Sequence, residues 1–216
     1  MSTWGAYADR WSALHGGADP RSSRLIGTYL RLVFRVSRQF SGISPGFISL
    51  LAVVCAAAVP TTCLPGGRWP LLAAGIAVLS GLLDSVDGTV AILSRRDSGL
   101  GGVLDSTADR LSDTAYAVAL WVLGAPAWLA GLVAGIGALQ EYVRARAAGE
   151  GMREIGVITI WERPTRILMT AGLCCGAGIF VAQAEAVATV GAWVSLAAAV
   201  TAFGQLTLVV RRNLDH

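Results

Sequence analysis

Four aspartates lie at helical spacing within residues 84–109, and they are the side chains of this sequence best suited to chemistry. Asp84 and Asp87 are i and i+3, and Asp105 and Asp109 are i and i+4, so each pair shares one face of a helix. The surrounding sequence is apolar, where ionisable side chains are costly unless they have a function. Two such pairs that face each other would form an all-oxygen site for Mg²⁺, Mn²⁺ or Ca²⁺. The spacing therefore predicts a metal-dependent active site in a membrane.

The elements that must position these carboxylates are long apolar helices. The chain has 216 residues, of which 54% are hydrophobic and 14% are charged. Soluble domains carry about 25% charged residues, so the composition indicates an integral membrane protein. A helix needs about 20 apolar residues to span a bilayer. Six segments predict an all-α protein with six transmembrane helices, near residues 44–62, 70–94, 103–123, 126–147, 165–183 and 187–210.

The arginines predict the orientation of these spans. They cluster before the first span, between spans two and three, between spans four and five, and after the last span, whereas the opposite loops carry only Arg68. Basic residues concentrate on the cytoplasmic side, so both termini are predicted to be cytoplasmic. Both aspartate pairs then lie toward the cytoplasmic leaflet. All 17 basic residues are arginine, a bias typical of GC-rich bacteria, so we expect a multi-pass protein of a bacterial inner membrane.

The sequence ahead of the first span divides into two parts. Residues 1–22 are predicted to be a polar N-terminal tail, and residues 23–42 an amphipathic helix in the membrane interface. The helix has a basic stripe and an apolar remainder, formed by Arg24, Arg31, Arg35 and Arg38 and by Ile26, Leu30, Val33, Val36 and Phe40. It is either an anchor for anionic lipid or a clamp beside the active site. The six-helix membrane domain follows over residues 43–212.

The aspartates belong to a longer pattern over residues 84–109, D-x2-D-G-x2-A-x9-G-x3-D-x3-D. This pattern resembles the signature of the CDP-alcohol phosphotransferases, D-x2-D-G-x2-A-R-x8-G-x3-D-x3-D. Seven of the eight fixed positions match without a gap, and the departure is Ile92, where the family has arginine. The resemblance implies an enzyme that transfers a phospho-alcohol group from a CDP-linked donor to a hydroxyl acceptor and releases CMP.

The resemblance also implies a role for each aspartate. Asp84, Asp87, Asp105 and Asp109 would bind Mg²⁺ or Mn²⁺, with two ions in the site. Such ions neutralise a diphosphate and stabilise the leaving phosphate. Asp109 would in addition be the catalytic general base that takes the proton from the acceptor hydroxyl.

Other residues near the motif are candidates for binding the CDP part of the donor. Three small residues would leave room for it, namely Gly88, Ala91 and Gly101. Helix packing through small residues explains them equally well from physics alone. Arg95 and Arg96 lie three and four residues beyond Ile92 and could replace the missing arginine. Alternatively, Ile92 marks an altered donor or a reduced activity.

Three stretches extend the resemblance to the actinobacterial phosphatidylinositol-phosphate synthase branch of the family: D-R-x-S-D at 109–113, Y-x-R-A-R-A at 142–147 and E-R-P-x-R at 162–166. Arginines of the last two would bind a phosphate-bearing acceptor, namely Arg144, Arg146, Arg163 and Arg166. The positive-inside rule accounts for arginines here equally well. Arg110 and Asp113 are predicted to form a buried pair that orients the site, in preference to a fifth metal ligand.

We therefore predict a phosphatidyltransferase of phospholipid biosynthesis that uses a CDP-linked lipid such as CDP-diacylglycerol. The acceptor is a small phosphorylated alcohol, inositol phosphate first and glycerol 3-phosphate second. A divalent-cation transporter is the alternative from another class, but it would need acidic residues through the bilayer depth and on further helices. A non-catalytic relative is a third reading because of Ile92. Membrane lipids are expected partners, and nucleic acids are not. The Gly- and Ala-rich spans could support a homodimer, which is common in the family.

Overall fold

The computed structural model describes residues 3–14, 19–94, 99–152 and 159–214, and within these ranges the protein is helical throughout, with no β-strand. The all-α prediction is therefore confirmed. A single helix coincides with each predicted span. The helices are α1 (Trp4–Leu14), α2 (Arg24–Ser37), α3 (Pro45–Cys63), α4 (Trp69–Ser94), α5 (Gly99–Val122), α6 (Ala127–Gly149), α7 (Arg163–Ile179) and α8 (Ala184–Leu214).

Three of the described helices are long and apolar enough to cross a membrane. They are α3, α4 and the segment Val181–Leu214, which contains a 3₁₀ turn followed by α8. The other three differ for visible reasons: α5 and α6 carry charged side chains, and α7 has only 17 residues. Many large apolar side chains of α3 and α8 are exposed, among them Phe47, Leu50 and Trp193. Exposed apolar surface of this kind is suited to contact with lipid.

The first of two compact units comprises Met1–Val53 and Ser80–Asp109. It contains α1, α2, the first part of α3, the last part of α4 and the start of α5. An apolar cluster at its centre joins α2, α3 and α4 through Val33, Ile48, Val86 and Val90. This unit holds all four aspartates of the motif.

Helix α2 has a buried face and an exposed face. Leu30, Val33 and Phe34 are buried against the protein, whereas Leu32 and Val36 are exposed. The helix begins at the N-cap Ser23, whose hydroxyl accepts a hydrogen bond from the Ile26 amide at 3.4 Å. It ends at Ser37 and continues as one 3₁₀ turn, Arg38–Phe40. The predicted amphipathic helix thus uses part of its apolar surface inside the protein and leaves part exposed beside the arginines.

The region predicted to be a polar tail contains α1, a helix that the sequence reasoning missed. Tyr7 and Ala8 on this helix are 1% and 0% exposed. The signal was present in the sequence, because Trp4, Tyr7 and Trp11 recur at i, i+3 and i+7, which is the spacing of one helix face.

The second unit comprises Val54–Leu79 and Arg110–His216, and its core is built largely from small side chains. Alanines of α3, α4, α5, α7 and α8 are fully or nearly fully buried there. Small residues let helix backbones approach closely, as in many membrane proteins. Gly191 shows how close: a Cβ at that position would lie 2.1 Å from Cδ2 of Leu173. This unit holds the arginines that the sequence assigns to the acceptor.

Candidate active site

Three aspartates of the motif come together in the first unit. Asp84 on α4 and Asp105 and Asp109 on α5 each offer a carboxylate oxygen, and these oxygens lie within 4.8 Å of one another. The i, i+4 spacing places both α5 carboxylates on one helix face, and the tertiary fold brings Asp84 to that face. Asp105 is exposed, whereas Asp84 and Asp109 are half-buried. The arrangement offers oxygen ligands from two helices with access from outside.

The fourth aspartate, Asp87, is the most deeply buried of the set at 2% exposure. Its Oδ2 atom has no hydrogen-bond partner among the residues that the structure describes. The charges of Asp84 and Asp105 act on it. A buried carboxylate beside other carboxylates is costly unless a cation compensates its charge. An all-oxygen set of this kind fits Mg²⁺ or Mn²⁺.

The small residues of the motif differ in their surroundings. Gly88 is exposed, and a Cβ built on it would meet no atom within 4 Å. Helix packing among the described residues therefore does not require glycine at this position. The open space beside Gly88 is available to a ligand. Gly101 is exposed and Ala91 is half-buried. Arg95 and Arg96 lie outside the described residues.

Ile92, the departure from the signature, lies in an apolar cluster. It is 7% exposed and packs with Tyr7, Phe34 and Leu93, and Trp4 and Trp11 pack against the same cluster. An arginine at this position would place its guanidinium among apolar side chains, which is unfavourable without an ionic partner. In this protein the position contributes to packing between α4 and the N-terminal helices.

Arg166 is the centre of a buried ionic network in the second unit. It is 6% exposed, and its Nη1 donates to Asp113 Oδ2 at 2.6 Å and its Nη2 to Glu141 Oε1 at 3.1 Å. Its Nε donates to the carbonyl of Trp161 at 3.2 Å. Arg110 Nη1 lies 3.3 Å from Asp113 Oδ2. Arg110 and Asp113 thus form an ion pair, but Asp113 lies closer to Arg166.

Arg144 forms a second group with Glu162, the residue that precedes α7. Its Nη1 donates to Glu162 Oε2 at 2.9 Å, and its Nη2 donates to Oε1 of the same carboxylate. Thr159 donates to Glu162 through its amide at 2.7 Å and its hydroxyl at 2.6 Å, and Gln140 donates to the Thr159 hydroxyl at 2.9 Å. Burial raises the pKa of Glu162, but the hydrogen bonds from Arg144 and Thr159 outweigh it, and the net pKa is lowered.

The two remaining acceptor candidates have different environments. Arg146 is exposed and pairs with Glu150 at 2.7 Å within α6, whereas Arg163 is half-buried at the start of α7. Sequence reasoning did not assign roles to Glu141, Gln140 or Thr159. Glu141 had a local signal, because it precedes Arg144 by three residues on one helix. The pairing of Arg166 with Asp113 had no local signal in the sequence, since the two residues are 53 positions apart.

In this helical protein, carboxylates from two helices converge on a site that could hold a divalent metal ion. The sequence profile of the CDP-alcohol phosphatidyltransferase family matches residues 43–203, and the chain belongs to this family. It is therefore a transferase of phospholipid biosynthesis. This result confirms the enzyme interpretation over the cation transporter.

Known relatives agree with this assignment. Archaetidylinositol phosphate synthase of Aeropyrum pernix is 35% identical over 151 residues, which cover 68% of this chain and 73% of the relative. Phosphatidylinositol phosphate synthase of Mycobacterium tuberculosis is 31% identical over 172 residues, or 74% and 75% of the two chains. The crystal structure of the latter enzyme (PgsA1) with CDP-DAG bound superposes with a TM-score of 0.66 at 25% identity, covering 84% of this chain and 94% of that chain.

Proposed function

We propose that this protein transfers the phosphatidyl group of CDP-diacylglycerol to an inositol phosphate and releases CMP. The observation that carries the proposal is the cluster of motif aspartates on α4 and α5. The donor is proposed from the CDP-DAG bound in the similar M. tuberculosis structure. The acceptor is proposed from the relatives, which are synthases of archaetidylinositol phosphate and phosphatidylinositol phosphate. Glycerol 3-phosphate is the second candidate acceptor.

In the proposed reaction the acceptor hydroxyl forms a new P–O bond to the phosphorus next to diacylglycerol, and the bond from that phosphorus to CMP breaks. Asp84, Asp87, Asp105 and Asp109 would hold two Mg²⁺ or Mn²⁺ ions. When bound, such ions neutralise the diphosphate and stabilise the departing CMP phosphate. Asp109, half-buried and last in the motif, takes the proton of the attacking hydroxyl as general base.

Donor and acceptor recognition are assigned to separate sets of residues. Open space beside Gly88 supports a role for the small motif residues Gly88, Ala91 and Gly101 in admitting the CDP group. Arg95 and Arg96 complete the proposed donor-binding set. Four arginines would bind the acceptor phosphate, namely Arg144, Arg146, Arg163 and Arg166. Arg144 and Arg166 are already paired with carboxylates, so they would attract the acceptor phosphate while these ion pairs hold their side chains in place.

The membrane arrangement proposed for the enzyme has six spans, with the N-terminal amphipathic helix in the interface and both termini in the cytoplasm of a bacterium. The apolar lengths of α3, α4 and α8 and the arginine distribution support it. The aspartates would then be reached from the cytoplasm, where a soluble phosphorylated acceptor is available. Small residues at helix surfaces would also permit a homodimer.

The deciding experiment is CMP release by the purified protein in detergent with CDP-diacylglycerol and Mg²⁺ or Mn²⁺. The acceptor panel contains inositol phosphate, glycerol 3-phosphate, phosphatidylglycerol and free inositol, the last as a matched acceptor without phosphate. We expect release with inositol phosphate only, and loss of release on chelation. Release with glycerol 3-phosphate instead would correct the acceptor, and no release from a folded protein with any acceptor would refute the proposal.

A further inference from the structure

Helix α4 carries two adjacent faces that bear on its function. One face bears the motif residues Asp84, Gly88 and Ala91. The neighbouring face bears Ser85, Thr89 and Ile92, which recur at i, i+4 and i+7. Every member of this second row is contacted by α1 or α2 of the same unit.

Two tyrosine hydroxyls hold the polar members of this row. The Tyr29 hydroxyl of α2 lies 2.6 Å from Ser85 Oγ, and the Tyr7 hydroxyl of α1 lies 3.0 Å from Thr89 Oγ1. Ser85 and Thr89 donate their own protons to backbone carbonyls one turn earlier, of Gly81 and Ser85. The two tyrosines therefore act as the donors in these contacts.

The apolar member of the row, Ile92, completes the docking site of α1. It is buried with Tyr7, Phe34 and Leu93, and the rings of Tyr7 and Phe34 are 5.2 Å apart. Trp4 packs on the same cluster, and the guanidinium of Arg31 lies 5.5 Å from the centre of its ring. Isoleucine at position 92 thus allows an apolar contact that an arginine would break.

From these contacts we propose that α1 is a positioning helix, which docks on Ile92 and Thr89 and fixes the rotation of α4 so that Asp84 and Asp87 face the site that would hold the metal. This inference rests on the proposed metal-dependent function. A carboxylate lies about 6 Å from the helix axis, so a rotation of about 10° displaces it by about 1 Å. Mg²⁺ requires oxygen ligands at about 2.1 Å, so a displacement of this size would move the carboxylate out of ligand distance.

The test uses Mn²⁺ alone as the probe, with its binding to the purified protein measured by electron paramagnetic resonance. Ile92→Arg should undock α1 and weaken Mn²⁺ binding at least tenfold, whereas the volume-conserving control Ile92→Leu should not. Tyr7→Phe removes only one hydroxyl and should weaken binding about two- to tenfold, the effect of one hydrogen bond. It also serves as the milder variant if Ile92→Arg does not fold.

Docking of α1 is measured separately by cysteine labelling in a background without the four natural cysteines. Ala8→Cys should be protected from a water-soluble maleimide, since Ala8 is fully buried, whereas Ala6→Cys on the exposed face should react freely. Adding Ile92→Arg should bring the reaction rate at position 8 close to that at position 6.

The outcomes separate this proposal from the proposed function. If wild-type protein binds no Mn²⁺, the metal centre fails and the positioning role fails with it. If wild type binds Mn²⁺ but the undocked Ile92→Arg protein and Tyr7→Phe bind it equally well, the positioning role alone is refuted. Free labelling at position 8 in the otherwise unchanged protein would show that α1 is not docked and would also refute it.

Discussion

Replacing Arg166 by methionine should destabilise the second unit severely, because this side chain is the most buried member of its ionic network. Arg166 is 6% exposed, and its partners Asp113 and Glu141 are 15% and 28% exposed. Removing one partner of a buried ion pair costs about 3–5 kcal/mol, since the remaining charge loses its compensation. Arg110 remains 3.3 Å from Asp113 and offsets part of this loss, so we expect the lower end, about 3 kcal/mol.

The assay is thermal unfolding of the purified protein in detergent, with a matched variant as control. For a chain of this size about 1 kcal/mol corresponds to about 2–4 °C, so Arg166→Met should lower the Tm by about 6–12 °C. Arg146→Met is the control, because Arg146 and Glu150 form a pair whose side chains are 64% and 57% exposed. Exposed pairs of this kind contribute about 0.3–0.5 kcal/mol, so the control should shift the Tm by about 1–2 °C.

A second variant distinguishes lost charge compensation from lost packing. In Arg166→Met combined with Asp113→Leu, no carboxylate remains beside the methionine except Glu141, which is more exposed. This double variant should recover part of the lost Tm, since an apolar pair can replace a buried ionic one. A Tm for Arg166→Met no lower than that of Arg146→Met would refute the reasoning.

Three further outcomes are expected. Asp105→Asn should abolish CMP release while the Tm stays near the wild-type value, because Asp105 is exposed and is proposed as a metal ligand; turnover near wild type would remove it from the proposed metal site. Arg144→Ala should raise the KM for the acceptor far more than the KM for the donor, and equal effects on both would exclude it from acceptor binding. The lowered pKa of Glu162 means that this carboxylate stabilises the fold above its unfolded pKa, and that the contribution is lost as the pH falls through the folded value. Wild-type protein should therefore lose Tm as the pH falls below the unfolded pKa of about 4.5, with Glu162→Gln less sensitive over the same range; equal pH dependence of both proteins would contradict this assignment.

Much of the site could be predicted from the sequence because its spacing is local. Asp105 and Asp109 share a face in any α-helix, and the apolar segments around them are long enough to require a membrane or a buried position. The motif then predicted that Asp84 would join them, and the structure brings its carboxylate within 4.8 Å of theirs. The helices α3 to α8 followed from apolar length, since that property does not depend on the rest of the fold.

The partners of the arginines required the tertiary structure. The sequence predicts that Arg166 binds the acceptor and that Asp113 pairs with Arg110. In the fold Arg166 also contacts Asp113, across 53 residues, at a shorter distance than Arg110 does. Nothing in the local sequence selects among several arginines for one carboxylate, because the choice depends on which helices pack together and how deeply each side chain is buried.

The two N-terminal helices also have features that the sequence determines and features that depend on the tertiary structure. The sequence by itself determined that α2 is amphipathic, since this follows from residue types and spacing. It also showed that isoleucine replaces the family's arginine at position 92. Only the tertiary structure decided where α1 packs and that Tyr7 and Ile92 share one apolar cluster, 85 positions apart in the chain. A helix of 11 residues has little stability alone, so its formation depends on the surface against which it packs.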